Sequence, residues 1–100
     1  MKLPSKTEMG LILALGAREI SGRDLAKRYQ HETGKAISYG TLYTTLKRLK
    51  DGGWVESRDD EDADGRVRFF KLTGPGCAAQ GRLIELQRTQ NILSGDGVIL

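Results

Sequence analysis

Ile37-Ser38-Tyr39-Gly40-Thr41-Leu42-Tyr43-Thr44-Thr45-Leu46-Lys47-Arg48-Leu49-Lys50 is the stretch on which the reading of this chain turns. Tyr39, Leu42, Tyr43, Leu46 and Leu49 recur at the spacing of one face of an α-helix. Ser38 stands where an N-cap belongs, and Gly52-Gly53 marks the end. Gly40, Thr41, Thr44, Thr45, Lys47 and Arg48 fall on the other side. Threonine is a mediocre helix former, so its surplus on an exposed face points to contact rather than propensity. Beyond the glycines, Trp54-Val55-Glu56-Ser57-Arg58 and Arg66-Val67-Arg68-Phe69-Phe70-Lys71-Leu72 alternate as two strands around an acidic loop that ends at Gly65.

Toward the N-terminus, Ser5-Lys6-Thr7-Glu8 has the spacing of a capping box. Met9, Leu11, Ile12 and Leu15 then give a first helix one buried face, with Gly16 as its end. Arg18-Glu19-Ile20 reads as an extended link. Ser21 starts a second helix, with Leu25 and Tyr29 on one face and Gly34 as its cap. Toward the C-terminus, Thr73 caps a last helix with Pro75 near its first position. Ala79, Leu83, Leu86, Gln90 and Leu93 approximate one stripe, Ile84 and Ile92 lie beside it, and Ser94-Gly95-Asp96-Gly97 ends it. The predicted class is mainly α with a small β-hairpin (α+β). Three helices and then a hairpin make a winged helix-turn-helix over residues 1–74, whose third helix enters the DNA major groove. Residues 75–100 form a C-terminal dimerisation helix and tail, in one compact domain overall.

The charge is unevenly spread. The chain of 100 residues carries +3 overall. Lys35 to Lys50 holds four basic residues and no acidic one. Glu56 to Gly65 holds six acidic residues against Arg58 alone, a local −5, so the remainder carries +8. That is a polyanion-binding body with one acidic projection. A single cysteine, Cys77, excludes an internal disulfide and fits a reduced, cytoplasmic setting. The apolar run from Met9 to Gly16 is too short to span a membrane.

Gly40-Thr41-Leu42-Tyr43, then Leu46, Arg48, Leu49, Gly53-Trp54-Val55-Glu56, then Arg68-Phe69-Phe70-Lys71-Leu72-Thr73 and Gly76 resemble the PadR-type transcriptional regulators. The likeness runs from about Thr7 to Leu93. It implies a winged-helix DNA binder that dimerises through its C-terminal helix; many such proteins are repressors. It also admits a small-molecule effector, since some members respond to phenolic acids or cationic drugs. By resemblance, Gly40, Thr41, Tyr43 and Thr44 sit where that family's recognition helix meets DNA. Thr44 is a departure, because the family often has proline there. The brief C-terminal region is like that of the shorter members, which have one terminal helix.

The candidate DNA-contacting set is therefore Ser38, Tyr39, Gly40, Thr41, Tyr43, Thr44, Lys47 and Arg48 in the helix. Arg58, Arg66 and Arg68 join it at the ends of the hairpin strands. Lys47 and Arg48 suit phosphate oxygens or guanine edges. Tyr43 combines packing with a hydroxyl contact, and Tyr39 is mostly packing. Trp54 is an anchor at the start of the wing. Asp60-Glu61-Asp62-Ala63-Asp64-Gly65 matches the start of a calcium loop, but its twelfth position is Lys71, where a bidentate glutamate is required. The bland reading, a soluble hairpin tip, is preferred. His31 and Cys77 lack partners in sequence. No Gly-rich phosphate loop or nucleophile motif supports an enzyme, a metal site or a cofactor.

The last helix has more apolar positions than a three-helix core covers, and a leftover apolar patch marks a partner surface. A two-fold homodimer is the commonest solution. Its expected interface is Ala79, Leu83, Leu86, Gln90 and Leu93, completed by Leu3 and Leu11. The expected partners are double-stranded DNA and a second copy of the chain. The competing reading is a winged-helix protein-interaction module without DNA binding, which the acidic wing favours and the basic helix opposes.

Overall fold

The computed structural model of the chain describes residues 4–62 and 65–94. The elements run α1 (Lys6–Ala14), β1 (Ile20–Ser21), α2 (Gly22–Thr33), α3 (Tyr39–Asp51), β2 (Val55–Asp62), β3 (Gly65–Leu72) and α4 (Gly74–Ser94). A hydroxyl opens every one of these helices. The Ser5 hydroxyl accepts from the Glu8 amide at 3.1 Å, while the Glu8 carboxylate accepts from the Ser5 amide at 3.1 Å, closing the capping box. Ser21 accepts from the Asp24 amide at 3.1 Å, Ser38 from Thr41 at 3.2 Å and Thr73 from Gly76 at 3.1 Å. Each such cap is worth about 1 kcal/mol. α2 stops at Gly34, whose φ of 74° lies in the left-handed region that a side chain disfavours.

The sheet has three strands in the order β1-β3-β2, all antiparallel, so the return strand of the hairpin is central. The extended link expected at Arg18 to Ile20 thus ends in a paired strand. Ile20 pairs with Phe70 and Ser21 with Phe69. Two residues are too few to show an alternation, which is why no strand was legible there. The acidic segment is also strand rather than loop. β2 continues through Asp62 because its register sets Asp59 opposite Arg68 and Glu61 opposite Arg66. Opposite charges facing each other across a ladder stabilise it. Asp60 and Glu61 thus sit in extended backbone and not in a calcium-type loop.

Leu11, Ile12 and Leu15, Leu25 and Tyr29, and Leu42, Leu46 and Leu49 meet Ile20, Val55, Phe70 and Leu72 in one core. Trp54, Cys77 and Leu83 pack against it. Thr45, expected on the polar side of α3, is buried, and its hydroxyl donates to the Thr41 carbonyl at 2.7 Å. α1 ends at Ala14, two residues before Gly16. Its last carbonyls are satisfied by neighbours: Arg28 Nη1 reaches Ala14 O at 3.0 Å, and Gln80 Nε2 reaches Ile12 O at 3.0 Å and Leu15 O at 2.7 Å. Those Gln80 bonds seat α4 against α1 and leave α3 and the hairpin together on another side.

Candidate nucleic-acid interface

α3 buries Leu42, Thr45, Leu46 and Leu49, so the 3.6-residue repeat turns Gly40, Thr44 and Lys47 directly outward. Thr41 and Arg48 flank them on one side, and Tyr39, Tyr43 and Lys50 on the other, nearer the hairpin. Tyr39 is 54% exposed, more than the packing role expected from sequence allows, and Tyr43 is 39% exposed. Lys47 lies 3.7 Å from Asp51 across one turn, a fully solvated pair that contributes little to stability.

Tyr43 connects this helix to the sheet. Its ring centroid lies 6.3 Å from that of Tyr39 and 6.0 Å from that of the buried Phe70. Lys50 adds a second link, its Nζ donating to Ser57 Oγ at 2.8 Å. The two faces of the hairpin differ. The core-facing side carries Val55, Ser57, Phe70 and Leu72, and beyond them Asp59, Glu61, Arg66 and Arg68. Arg68 Nε donates to Asp59 at 2.8 Å, and Arg66 lies 3.9 Å from Asp59 and 3.8 Å from Glu61. The Arg68 guanidinium holds the Asp59 carboxyl below its ordinary pKa, and Asp59 in turn raises that of Arg68.

Arg58 points to the opposite side. It stacks over the Phe69 ring at 5.1 Å and makes two bonds to Glu19, at 2.8 and 3.0 Å. That pair lowers the Glu19 pKa and raises that of Arg58. The structure therefore brings Arg66 and Arg68 to the α3 side of the sheet and leaves Arg58 apart from them. It adds two cations that sequence reasoning passed over. Arg23 and Lys27 of α2, together with Tyr43, Arg66 and Arg68, line a groove of about 540 Å³ that opens beside the start of α2. Their signal in the sequence was a basic pair four residues apart just after an N-cap.

A second groove, about 660 Å³, lies between α1, the end of α2 and α4. Met9, Leu13, Leu83, Ile84, Leu86 and Gln90 are among its walls. Ile84 and Leu86 are 51% and 57% exposed, and Gln90 is exposed as well. Ala79 and Leu83 are half-buried. Leu11, expected at an interface between copies, is instead fully buried in its own core. It lies on the inner side of α1, whereas Met9 and Leu13 line the groove. Leu3 and the side chain of Leu93 fall outside the described residues. His31 is exposed and Cys77 half-buried and free. Among the described residues, no helix is long and apolar enough to cross a membrane.

Residues 11–82 match the model of the transcriptional regulator PadR-like family. Solved structures share the fold. A PadR family transcription regulator from Clostridium difficile R20291 superposes with a TM-score of 0.78 at 19% identity, over 91% of this chain and 96% of its own. A PadR-like transcription factor from Bacteroides fragilis does so with a TM-score of 0.76 at 26% identity, over 89% and 86%. Bacillus subtilis PadR in complex with operator DNA gives a TM-score of 0.70 at 20% identity, over 80% of this chain and 47% of that one. No curated protein sequence matches this chain.

Proposed function

Because the chain belongs to the transcriptional regulator PadR-like family, we propose that it binds double-stranded DNA sequence-specifically as a homodimer and represses transcription. It is a winged-helix transcriptional regulator and not an enzyme. One observation carries the reading. The outward face of α3 carries Lys47 and Arg48, and on its hairpin side Tyr43 lines one groove with Arg23, Lys27, Arg66 and Arg68. α3 enters the major groove with Gly40, Thr41 and Thr44 toward base edges. Ser38, Tyr39, Tyr43, Lys47 and Arg48 meet the flanking backbone. Arg66 and Arg68 from the wing, with Arg23 and Lys27 from α2, meet phosphates. Arg58, held by Glu19 on the far side, is outside this surface.

The second copy docks on the groove formed by Met9 and Leu13 of α1 with Ile84, Leu86 and Gln90 of α4. A two-fold axis there sets two recognition helices about one DNA turn apart. A small-molecule effector would act by entering the same groove and changing that separation. The protein works in the cytoplasm, where its duplex is. The test is selection of duplexes from a randomised pool by the wild-type protein. The expected winner is a two-fold-related motif whose binding weakens as salt rises. A protein-interaction module predicts no enrichment at all, and that result would end the proposal.

A further inference from the structure

Gly22, the first residue of α2, is buried although it lies beside an exposed tyrosine of α3. A methyl group added there would overlap the Tyr43 hydroxyl and lie 2.9 Å from Tyr43 Cζ and 3.2 Å from Cε1. Its backbone is not in the left-handed region. Space, rather than conformation, is what a side chain at this position lacks.

Two groups could yield to such a methyl. The start of α2 is pinned: Ser21 caps it, and Ile20 and Ser21 pair with Phe70 and Phe69 in the centre of the sheet. Tyr43 packs against Phe70 and its helix neighbour Tyr39 and is otherwise open to solvent. The tyrosine must therefore move, and it moves outward, into the surface proposed to meet DNA. We propose that Gly22 is a positioning residue for DNA recognition. By its lack of a side chain it lets the Tyr43 ring sit in the angle between α2, α3 and the wing. The ring then sets both the spacing of α3 from Arg68 and the height of its own hydroxyl above the surface. This rests on the reading of α3 as the recognition helix.

The consequence is a separation of stability from binding. Alanine at a helix start whose backbone already suits it is neutral or slightly stabilising. The Gly22→Ala protein should keep or raise its Tm. It should bind the duplex selected by the wild-type protein about five- to tenfold more weakly, the equivalent of one displaced aromatic ring. In a Tyr43→Leu background, whose shorter side chain does not reach Gly22, the same Gly22→Ala change should leave affinity unaltered. The measurement is a four-protein cycle (wild type, each single variant and the double) read by anisotropy on that duplex and by thermal unfolding. Equal losses with and without the Tyr43→Leu change, no loss in either case, or a fall in Tm that accompanies the fall in affinity would each overturn the proposal. If the wild-type protein selects no duplex, it is the DNA-binding reading that fails, and the two failures are thereby distinguished.

Discussion

Replacing Lys47 and Arg48 together by alanine tests the recognition helix most directly. Both side chains are exposed, and neither belongs to the core formed by Leu42, Leu46 and Leu49. Alanine is the better helix former, so the folded state should be unaffected or slightly firmer. Each phosphate that is no longer neutralised flattens the log–log dependence of affinity on salt by about 0.9. Two residues in each of two protomers thus remove a slope of about 3.6. Lys47 is already partly compensated by Asp51 at 3.7 Å, which makes that figure an upper value. At ~0.1 M salt a slope of 0.9 corresponds to about eightfold in affinity relative to a 1 M reference, so binding should fall by two orders of magnitude or more. The assay is a fluorescence-anisotropy titration of a selected duplex across a salt series, with circular dichroism to confirm the fold. A folded double variant whose affinity and salt slope equal the wild type would refute the placement of α3 on DNA.

Three other perturbations reach different parts of the molecule. Leu86→Asp changes a residue 57% exposed in the protomer, so it should yield a folded monomer with much weaker duplex binding; sedimentation showing the wild type already monomeric at micromolar concentration would remove the dimer. Asp59→Asn releases Arg68 from its 2.8 Å partner and should tighten duplex binding, measured at low salt; a clear loss would mean that Asp59 orients Arg68 productively. The same variant has a pH signature in thermal unfolding. The Asp59 carboxyl is held below its ordinary 3.8, so its pairing stabilises the fold above that pH and stops doing so as pH falls through the lowered value; the Tm gap between wild type and variant should close in acid. Leu42→Ala empties a fully buried site and should cost about 2–5 kcal/mol in a denaturant titration, with a smaller loss showing that the core collapses around it.

Local chemistry was enough to place the four helices. Ser5, Ser21, Ser38 and Thr73 cap them where a hydroxyl precedes an apolar repeat, and Gly34 closes α2 in the left-handed region as its position suggested. These are interactions within four residues or fewer, so composition and spacing carry them. The hairpin was legible for the same reason, since Val55, Phe70 and Leu72 fall on one side of a two-residue alternation and do face the core. The family likeness read from Gly40 to Tyr43 and from Arg68 to Thr73 is matched by the family model over residues 11–82.

What required the tertiary structure is every feature that depends on a partner far along the chain. The two-residue β1 exists only because β3 offers it a free edge, 50 residues later by the pairing of Ile20 with Phe70. The acidic run is strand only because Arg66 and Arg68 lie opposite it in register. Leu11 and Thr45 follow helical spacing as well as their neighbours do, but which side of a helix is inner depends on what packs there, and both proved buried. Arg58 and Arg68 look alike in sequence, yet the strand alternation and Glu19 send one away from α3 and leave the other beside Tyr43. Periodicity specifies the faces of an element. Only the closing of the chain on itself decides which face meets the core, which meets solvent and which charges meet each other.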